Sequence, residues 1–313
     1  MASVHPQMQA ILDRAAAAPG PPLPGLSPQA ARKLDAEQFD AYWNAEPPSL
    51  AIVTDRVAEC ADGPIRFRLY DPGVRKPTPC LVYFHGGGWV LGGLESHDRV
   101  CRELALASAA MVAAADYRLA PEHKFPKPLQ DCIGATRWIH AEGRSLGIDP
   151  RRVAVGGDSA GANLALATLL ALREDGGAGL RAGVLVYGMF AADQQTPSQN
   201  KFGDGRYLLS TADTEWFWRC YLNHDGERGD PLAVPLRAEL KGLPPLYLAA
   251  AELDPLLDDS VLLRERLKAA AQPHRWRLWP GLAHGAFQMS RELEPVRGYI
   301  AEIGAFLKSE LQA

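Results

Sequence analysis

The sequence lacks the features that mark several large classes of protein. Its 313 residues contain no unbroken run of about 18 apolar residues, which a membrane-spanning helix requires. The longest nearly apolar stretch, 104–115, is typical of a buried core segment. Lys and Arg total 33 and Asp and Glu total 37, so the net charge of −4 offers no basic surface for nucleic acid or an anionic membrane. We therefore expect neither nucleic-acid binding nor stable membrane insertion.

Cysteine is scarce and scattered. The five cysteines lie far apart without a C-x-x-C pair, which is typical of free thiols in a reducing compartment. The N-terminal stretch has no basic segment, and Asp13 and Arg14 interrupt any apolar run there, so we predict no signal peptide and a cytoplasmic location. There is no H-E-x-x-H motif and no cluster of Cys and His ligands, so we expect no metal and no cofactor.

From residue 49 onward, strand-like and helix-like segments alternate. Eight segments are predicted as strands: 51–58, 65–70, 80–85, 111–117, 152–157, 183–189, 245–251 and 274–279. Several are continuous apolar runs, as expected for strands that are covered on both faces. Helical segments are predicted between and after them at 96–109, 127–146, 160–174, 258–271 and 291–311. The pattern predicts an α/β fold with a mostly parallel eight-stranded sheet, flanked by helices, and an antiparallel hairpin of the first two strands at one edge.

Two segments depart from this alternation. Residues 1–48 contain two helical stretches separated by a break rich in proline and glycine. Residues 190–235 begin with loop composition and continue into an aromatic cluster. Because a long insertion of this kind in a compact domain is typical of a lid or binding element, we predict a helical cap formed by 1–48 and 190–235. The catalytic domain would then comprise 49–189 and 236–313.

The motif Gly157–Gly161, with Ser159 at its centre, lies between an apolar strand and an Ala/Leu-rich helix. A nucleophile elbow requires this strand–turn–helix context, since the sharp turn leaves little room for side chains beside the serine. The helix N-terminus also directs N–H groups at any anion that forms there. A chance G-x-S-x-G match is the alternative, but the flanking elements favour a nucleophilic serine.

Three consecutive glycines, Gly86–Gly88, follow directly after another predicted strand. Such a loop lets backbone N–H groups face a ligand without obstruction, which suits the oxyanion formed when a nucleophile adds to an acyl carbonyl. A flexible turn or a phosphate-binding loop is the alternative. The loop does not match the G-x-G-x-x-G or G-x-x-x-x-G-K patterns, so phosphate binding is the poorer fit.

An activated serine needs a base, and the base needs a carboxylate that orients it. His284 follows the last predicted strand and Asp254 follows the strand before it. Both candidates and Ser159 therefore fall at the C-terminal ends of strands, where parallel sheets place their ligands. Asp258 and Asp259 compete with Asp254, but they are typical of the first turn of the following helix.

The chain order Ser159, Asp254, His284 is the order of α/β hydrolases. The sequence resembles the hormone-sensitive-lipase-like branch of that superfamily, the bacterial family IV of capped carboxylesterases. Five motifs in the order of that family carry the resemblance: His85–Trp89, Asp116–Glu122, Gly157–Gly161, Asp254–Asp258 and His284–Gly285. The segment Asp116–Glu122 and His85 are usually structural in this family.

The resemblance implies a serine carboxylesterase that hydrolyses short- to medium-chain acyl esters through an acyl-enzyme. It implies Ser159 as nucleophile, His284 as general acid and base, and Asp254 as its orienting residue. The implied oxyanion-hole donors are the N–H groups of Gly86, Gly87 and Ala160.

Five further residues are expected to line the substrate pocket: Trp89, Asp158, Trp216, Phe217 and Phe287. For the aromatic ones, ordinary packing of the cap is the competing interpretation. One departure from the family concerns the residue after His284-Gly285, which is commonly Phe but here is Ala286, with Phe287 following it.

Several alternatives remain open at this stage. An amidase, an arylformamidase or a lactonase would use the same triad on other acyl groups. A non-catalytic binder of small molecules is a further reading, although the presence of His284 argues against it. A true lipase would expose a large apolar lid, whereas Asp193–Arg206 is polar. By analogy with the family, two copies of the chain would pair through the last strand, 274–278, to form a homodimer.

Overall fold

The first feature of the fold is a sheet that contains all eight predicted strands. It is seen in a computed structural model, which describes residues 3–174 and 179–312. The strands are β1 Ile52–Cys60, β2 Gly63–Asp71, β3 Thr78–Phe84, β4 Met111–Ala115, β5 Ile148–Asp158, β6 Ala182–Val186, β7 Leu246–Leu253 and β8 His274–Ala283. Their order across the sheet is β1-β2-β4-β3-β5-β6-β7-β8.

Strand directions explain where a site can form. β1 and β2 form the expected antiparallel hairpin at one edge, and β2 is antiparallel to β4. The six strands from β3 to β8 are parallel to one another. Their carboxyl ends therefore meet at one edge of the sheet, which is where open α/β sheets bind ligands. The predicted α/β-hydrolase sheet is confirmed.

Helices cover both faces of the sheet. The helices that flank the sheet are α1 Pro6–Ala17, α4 Asp98–Ser108, α5 Lys127–Glu142, α6 Ala160–Glu174, α9 Leu257–Ala269 and α10 Glu294–Gln312. Alternate residues of β3 enter the two cores: Val82 belongs to the core that also contains residues of α5, α6 and α9, whereas Leu81 belongs to the core with residues of α1, α4 and α10. This alternation follows from the two-residue period of a strand. No helix in the described ranges is long and apolar enough to cross a membrane.

Helix α6 has the largest fraction of buried residues among the described helices. Every residue from Ala160 to Leu170 is buried, and twelve of its fifteen residues are buried in total. Its alanines and leucines make it apolar on all sides, as expected for a helix inside the core. The helix that begins directly after Ser159 is thus held by packing along nearly its whole length.

The segment 1–48 divides into two parts. Helix α1 packs Met8, Ile11 and Leu12 into the same core as α10, beside the sheet. The rest of the segment forms α2 Pro28–Asp35, a π-helical turn Ala36–Asp40 and the short α3 Ala41–Trp43. Arg32 fastens this second part, since its guanidinium donates to the carbonyl oxygens of Val90 and Ala120 at 2.7 and 2.8 Å.

The insertion 190–235 contains α7 Pro197–Phe202 and α8 Thr211–Tyr221. Its helix α8 begins with a capping box in which Ser210 and Asp213 each accept a backbone N–H of the other. The 3₁₀ turn Leu23–Gly25 of the N-terminal segment packs against α8. The two predicted cap segments thus meet each other, whereas α1 lies with the sheet, and the proposed domain boundaries remain a prediction.

Candidate active site

The turn between β5 and α6 presents Ser159 at the carboxyl edge of the sheet. Its backbone adopts a left-handed φ of 53°, and its N–H donates to the carbonyl of Val186 at 2.9 Å. A Cβ at Gly157 or Gly161 would lie only 2.3 or 2.0 Å from the carbonyl oxygen of Phe84, the last residue of β3. The two glycines are therefore required by the close approach of β3. The strained serine backbone is typical of a functional turn.

Ser159, His284 and Asp254 form a chain of hydrogen bonds. The distance between Ser159 Oγ and His284 Nε2 is 2.9 Å, and His284 Nδ1 lies 2.7 Å from Asp254 Oδ2. Asp254 is fully buried, and its other oxygen accepts the N–H of Leu256 at 2.8 Å. This arrangement can transfer the hydroxyl proton of the serine to an imidazole whose orientation is held from behind.

The two competing carboxylates point elsewhere. Asp258 accepts the N–H of Ser198 at 2.8 Å, and Asp259 accepts the N–H of Ala191 at 2.7 Å. Both bonds tie the insertion to the first turn of α9, where the two aspartates were expected. Burial raises the pKa of Asp259 well above its ordinary value. Their partners give Asp258 and Asp259 an anchoring position away from His284.

The glycine loop, defined here as residues 86–88, corrects one expectation. The N–H of Gly86 donates to Asp158 Oδ1 at 3.1 Å, so it is not free to bind an oxyanion. The N–H groups of Gly87 and Gly88 donate no hydrogen bond to any described residue. Neither does the N–H of Ala160, which opens α6 and so has no partner within the helix. One free donor, at Gly87, thus belongs to a residue that lines the same cavity as Ser159, and another, at Ala160, follows Ser159 directly in the chain.

A cavity of about 400 Å³ opens onto Ser159 and His284. Further lining residues come from the glycine loop and the segment 91–97 after it, from 20–40, from the insertion, and from 285–289 directly after His284. Two of the predicted pocket residues, Asp158 and Phe217, line it. Phe217 also packs on the glycine loop, since a Cβ at Gly88 would lie 2.1 Å from its ring.

The other three predicted pocket residues, Trp89, Trp216 and Phe287, are absent from the cavity lining, which corrects that expectation. Trp89 is stacked on Tyr221 with ring centroids 4.1 Å apart, beneath the cap. Phe287 is fully buried beside Trp279, and Trp216 is buried with its ring 5.3 Å from Phe217. For these aromatic residues the competing interpretation, ordinary packing, describes the structure.

His85 lies beneath the glycine loop rather than in the cavity. Its ring stacks on Tyr117 at a centroid distance of 4.3 Å, and the hydroxyl of Tyr117 donates to the His85 carbonyl at 2.8 Å. Complete burial lowers the pKa of His85 to about 3, so the ring is neutral. His85 and Tyr117, in the two motifs expected to be structural, thus support the loop from behind.

Sequence reasoning missed the polar wall of the cavity. His97, Asp35 and Asp40 line it, with Gln38 and Gln288 beside them. Burial, with a further contribution from Asp40, raises the pKa of Asp35 to about 7, and burial raises that of Asp40 to about 6. The π-helical turn Ala36–Asp40, which follows Asp35 directly and ends with Asp40, leaves no mark in the sequence. The one sequence signal that could have pointed to His97 as a cavity residue is its position shortly after the glycine loop.

The chain is similar in sequence and in structure to known proteins. The family described as alpha/beta hydrolase fold matches residues 81–288. An ester hydrolase from the Lake Arreo metagenome, determined with a bipyridine phosphonate derivative, is 35% identical with a TM-score of 0.93, over 99% of this chain and 100% of its own. A hyperthermophilic esterase from the archaeon Pyrobaculum calidifontis is 33% identical with a TM-score of 0.90, over 98% of both chains. A thermostable esterase from Pseudomonas putida is 31% identical with a TM-score of 0.93, over 99% and 98%.

The chain therefore belongs to the α/β hydrolase family, in its hormone-sensitive-lipase-like branch. The predicted family is confirmed. Within that branch it is a carboxylic ester hydrolase, as are the structures it resembles over nearly their whole length.

Proposed function

We propose that this protein is a serine carboxylesterase of short- to medium-chain acyl esters, with Ser159, His284 and Asp254 as its triad. The observation that carries the proposal is the hydrogen-bonded chain from Ser159 Oγ through His284 to the buried Asp254 at the cavity. A volume of about 400 Å³ is near the lower end of the usual range for ligand sites, roughly 300–1,000 Å³, and favours a small ester.

The first chemical step is attack by Ser159 Oγ on the ester carbonyl. His284 Nε2 accepts the hydroxyl proton as the new C–O bond forms, and Asp254 stabilises the resulting imidazolium. The carbonyl electron pair moves to oxygen, and the free N–H groups of Gly87, Gly88 and Ala160 are proposed to bind this oxyanion. Gly86 is one of the donors expected from the sequence, and Gly88 replaces it in this proposal.

Collapse of the tetrahedral intermediate expels the alcohol, which receives the proton from His284. Water then enters, His284 removes one of its protons, and the hydroxide attacks the acyl carbon. The second collapse releases the carboxylic acid and returns the proton to Ser159 Oγ. One ester and one water thus give one acid and one alcohol, and the triad returns to its starting state.

The test is the release of p-nitrophenol from butyrate and dodecanoate esters by the wild type and by Ser159→Ala. We expect rapid hydrolysis of the butyrate ester, slow hydrolysis of the dodecanoate ester, and loss of both activities in the variant. Faster turnover of the dodecanoate ester would overturn the proposed chain length. Activity that survives in the folded variant would overturn the nucleophile. Lack of hydrolysis by folded wild type would favour amide or lactone substrates on the same triad.

A further inference from the structure

His97 contacts three segments that meet at the cavity. The side chain is almost completely buried in the loop before α4. Its Nε2 lies 3.1 Å from Asp158 Oδ1, beside the nucleophile, and 2.6 Å from the side-chain amide of Gln288, four residues after His284. The same nitrogen lies 3.3 Å from the backbone N–H of Gly86, which donates to it. Its Nδ1 lies 2.8 Å from the hydroxyl of Ser96. Buried polar side chains with several partners are held in one orientation, so we expect the imidazole ring of His97 to keep one orientation.

Asp158 connects His97 to the glycine loop. Its Oδ1 accepts the hydroxyl of Tyr83 at 2.6 Å and the N–H of Gly86 at 3.1 Å, in addition to the contact with His97. A Cβ at Gly86 would lie only 2.5 Å from Asp158 Oδ2, so the loop backbone rests directly on this carboxylate. Rotation of the carboxylate would therefore move Gly86, and with it the two following peptide groups.

The charge of Asp158 also depends on its surroundings. Complete burial raises its pKa, but the charge and hydrogen bond of His97, together with the bond from Tyr83, outweigh burial and hold the pKa below its ordinary value. An ionised carboxylate only accepts hydrogen bonds, whereas a protonated one also donates. Loss of the donor at His97 favours the protonated form, which competes poorly for the N–H of Gly86.

We propose that His97 is a positioning residue for the oxyanion hole: it holds the Asp158 carboxylate in the orientation that accepts the Gly86 N–H, and thereby sets the donors of Gly87 and Gly88. The inference rests on the proposed function, because it concerns groups that stabilise the transition state of that reaction. His97 itself does not exchange a proton with substrate in this scheme. Its main route to the loop is Asp158, because the Gly86 N–H lies closer to Asp158 Oδ1, at 3.1 Å, than to His97 Nε2, at 3.3 Å.

The test compares His97→Leu, which removes the donor, with His97→Gln, which keeps an amide donor at a similar position. We expect His97→Leu to lower kcat for p-nitrophenyl butyrate by about 10- to 100-fold, because small displacements of aligned groups have effects of that size. KM should stay nearly constant, since the oxyanion donors act mainly in the transition state. His97→Gln should recover most of kcat. His140→Leu, which removes a half-buried histidine on α5, controls for general loss of stability.

A kinetic double-mutant cycle with Asp158→Asn tests the route. If His97 acts through Asp158, the double variant His97→Leu/Asp158→Asn should lose little more than Asp158→Asn alone. Additive losses would overturn the inference. So would a rise in KM with kcat unchanged, which indicates that His97 contacts substrate directly from the wall that also carries Asp35 and Asp40.

A measurement on the resting protein separates this inference from the proposed function. The Gly86 amide proton, bonded to a carboxylate, should resonate downfield, move upfield in His97→Leu, and return in His97→Gln. The shift needs no substrate, so the inference stands or fails even if ester hydrolysis is absent. An unchanged Gly86 shift in folded His97→Leu contradicts it, whereas wild type that lacks esterase activity contradicts only the proposed function.

Discussion

The two walls of the cavity are built by different means. On the sheet side, Ser159, Asp254 and His284 each follow a parallel strand, so backbone hydrogen bonds and tight turns place them. On the cap side, the lining residues of 20–40 and 208–217 are placed by side-chain contacts between distant segments, such as the bond of Arg32 to the Ala120 carbonyl, 88 residues away. The sheet side is thus suited to fixed chemistry and the cap side to the choice of substrate.

The largest effect should come from the sheet side. Asp254→Asn should lower kcat by about 10⁴-fold with little change in Tm, because the imidazole loses the acceptor that fixes its tautomer. Steady-state kinetics and thermal unfolding measure the two quantities. The matched control is Asp258→Asn, whose carboxylate faces Ser198 and not His284. If Asp258→Asn proves the more damaging change, the assignment of the orienting carboxylate is wrong.

The next effect tests how tightly the sheet side is built. Gly161→Ala should destabilise the fold by about 3 kcal/mol, because the new Cβ would meet the carbonyl oxygen of Phe84 at 2.0 Å. Gly298→Ala in α10 is the control: its Cβ meets nothing within 4 Å, and the change should stabilise by about 0.5–1 kcal/mol. Urea unfolding provides both numbers. Equal stabilities of the two variants would show that the turn tolerates displacement of β3.

The cap side should respond in substrate preference instead. Phe217→Ala should raise the ratio of kcat/KM for dodecanoate over butyrate by about tenfold, since it removes an aromatic ring from the cavity wall. Trp216→Ala, a change at its buried neighbour outside the lining, should lower Tm without moving this ratio. A shift in chain-length preference in the Trp216 variant alone would reverse the assignment of the wall.

The smallest effect concerns the pH dependence of stability. The pKa of Asp35 is about 7 in the folded protein, against about 3.9 for an unperturbed aspartate. The folded state therefore binds this proton more tightly, and stability falls as pH rises from about 4 through 7. Asp35→Asn has no proton to lose, so it should be more stable than wild type at pH 8, with the difference vanishing near pH 4. Chemical unfolding at the two pH values provides the comparison, and parallel curves would contradict it.

Sequence reasoning succeeded where local patterns determine position. The eight strands were identifiable because continuous apolar runs alternate with helical periodicity. The places of Ser159, Asp254 and His284 at strand ends were identifiable because each follows such a run, whereas their catalytic roles stay a prediction. The error at Gly86 arose within one motif. Three equivalent glycines cannot reveal that the first N–H donates to Asp158, since that bond depends on a rotamer 72 residues away.

The cavity lining was less predictable for a different reason. Phe217 and Trp216 are adjacent in sequence and similar in character, yet the lining contains one of them and not the other. Which ring enters the cavity is decided by how α8 is rotated against the glycine loop, a property of tertiary packing. Likewise His97 was passed over because its partners, Asp158 and Gln288, lie 61 and 191 residues away in the chain.

The burial of α6 has a consequence for the rate of amide hydrogen exchange. Amides of a helix that is sealed in the core exchange with solvent only when the whole domain unfolds, whereas amides at a peripheral site exchange through small local openings. Hydrogen exchange should therefore be slowest directly behind Ser159 and far faster in the π-helical turn across the cavity. Ser159 thus lies beside the part of the described chain that is expected to open last, and the wall opposite it can open and close many times before that happens.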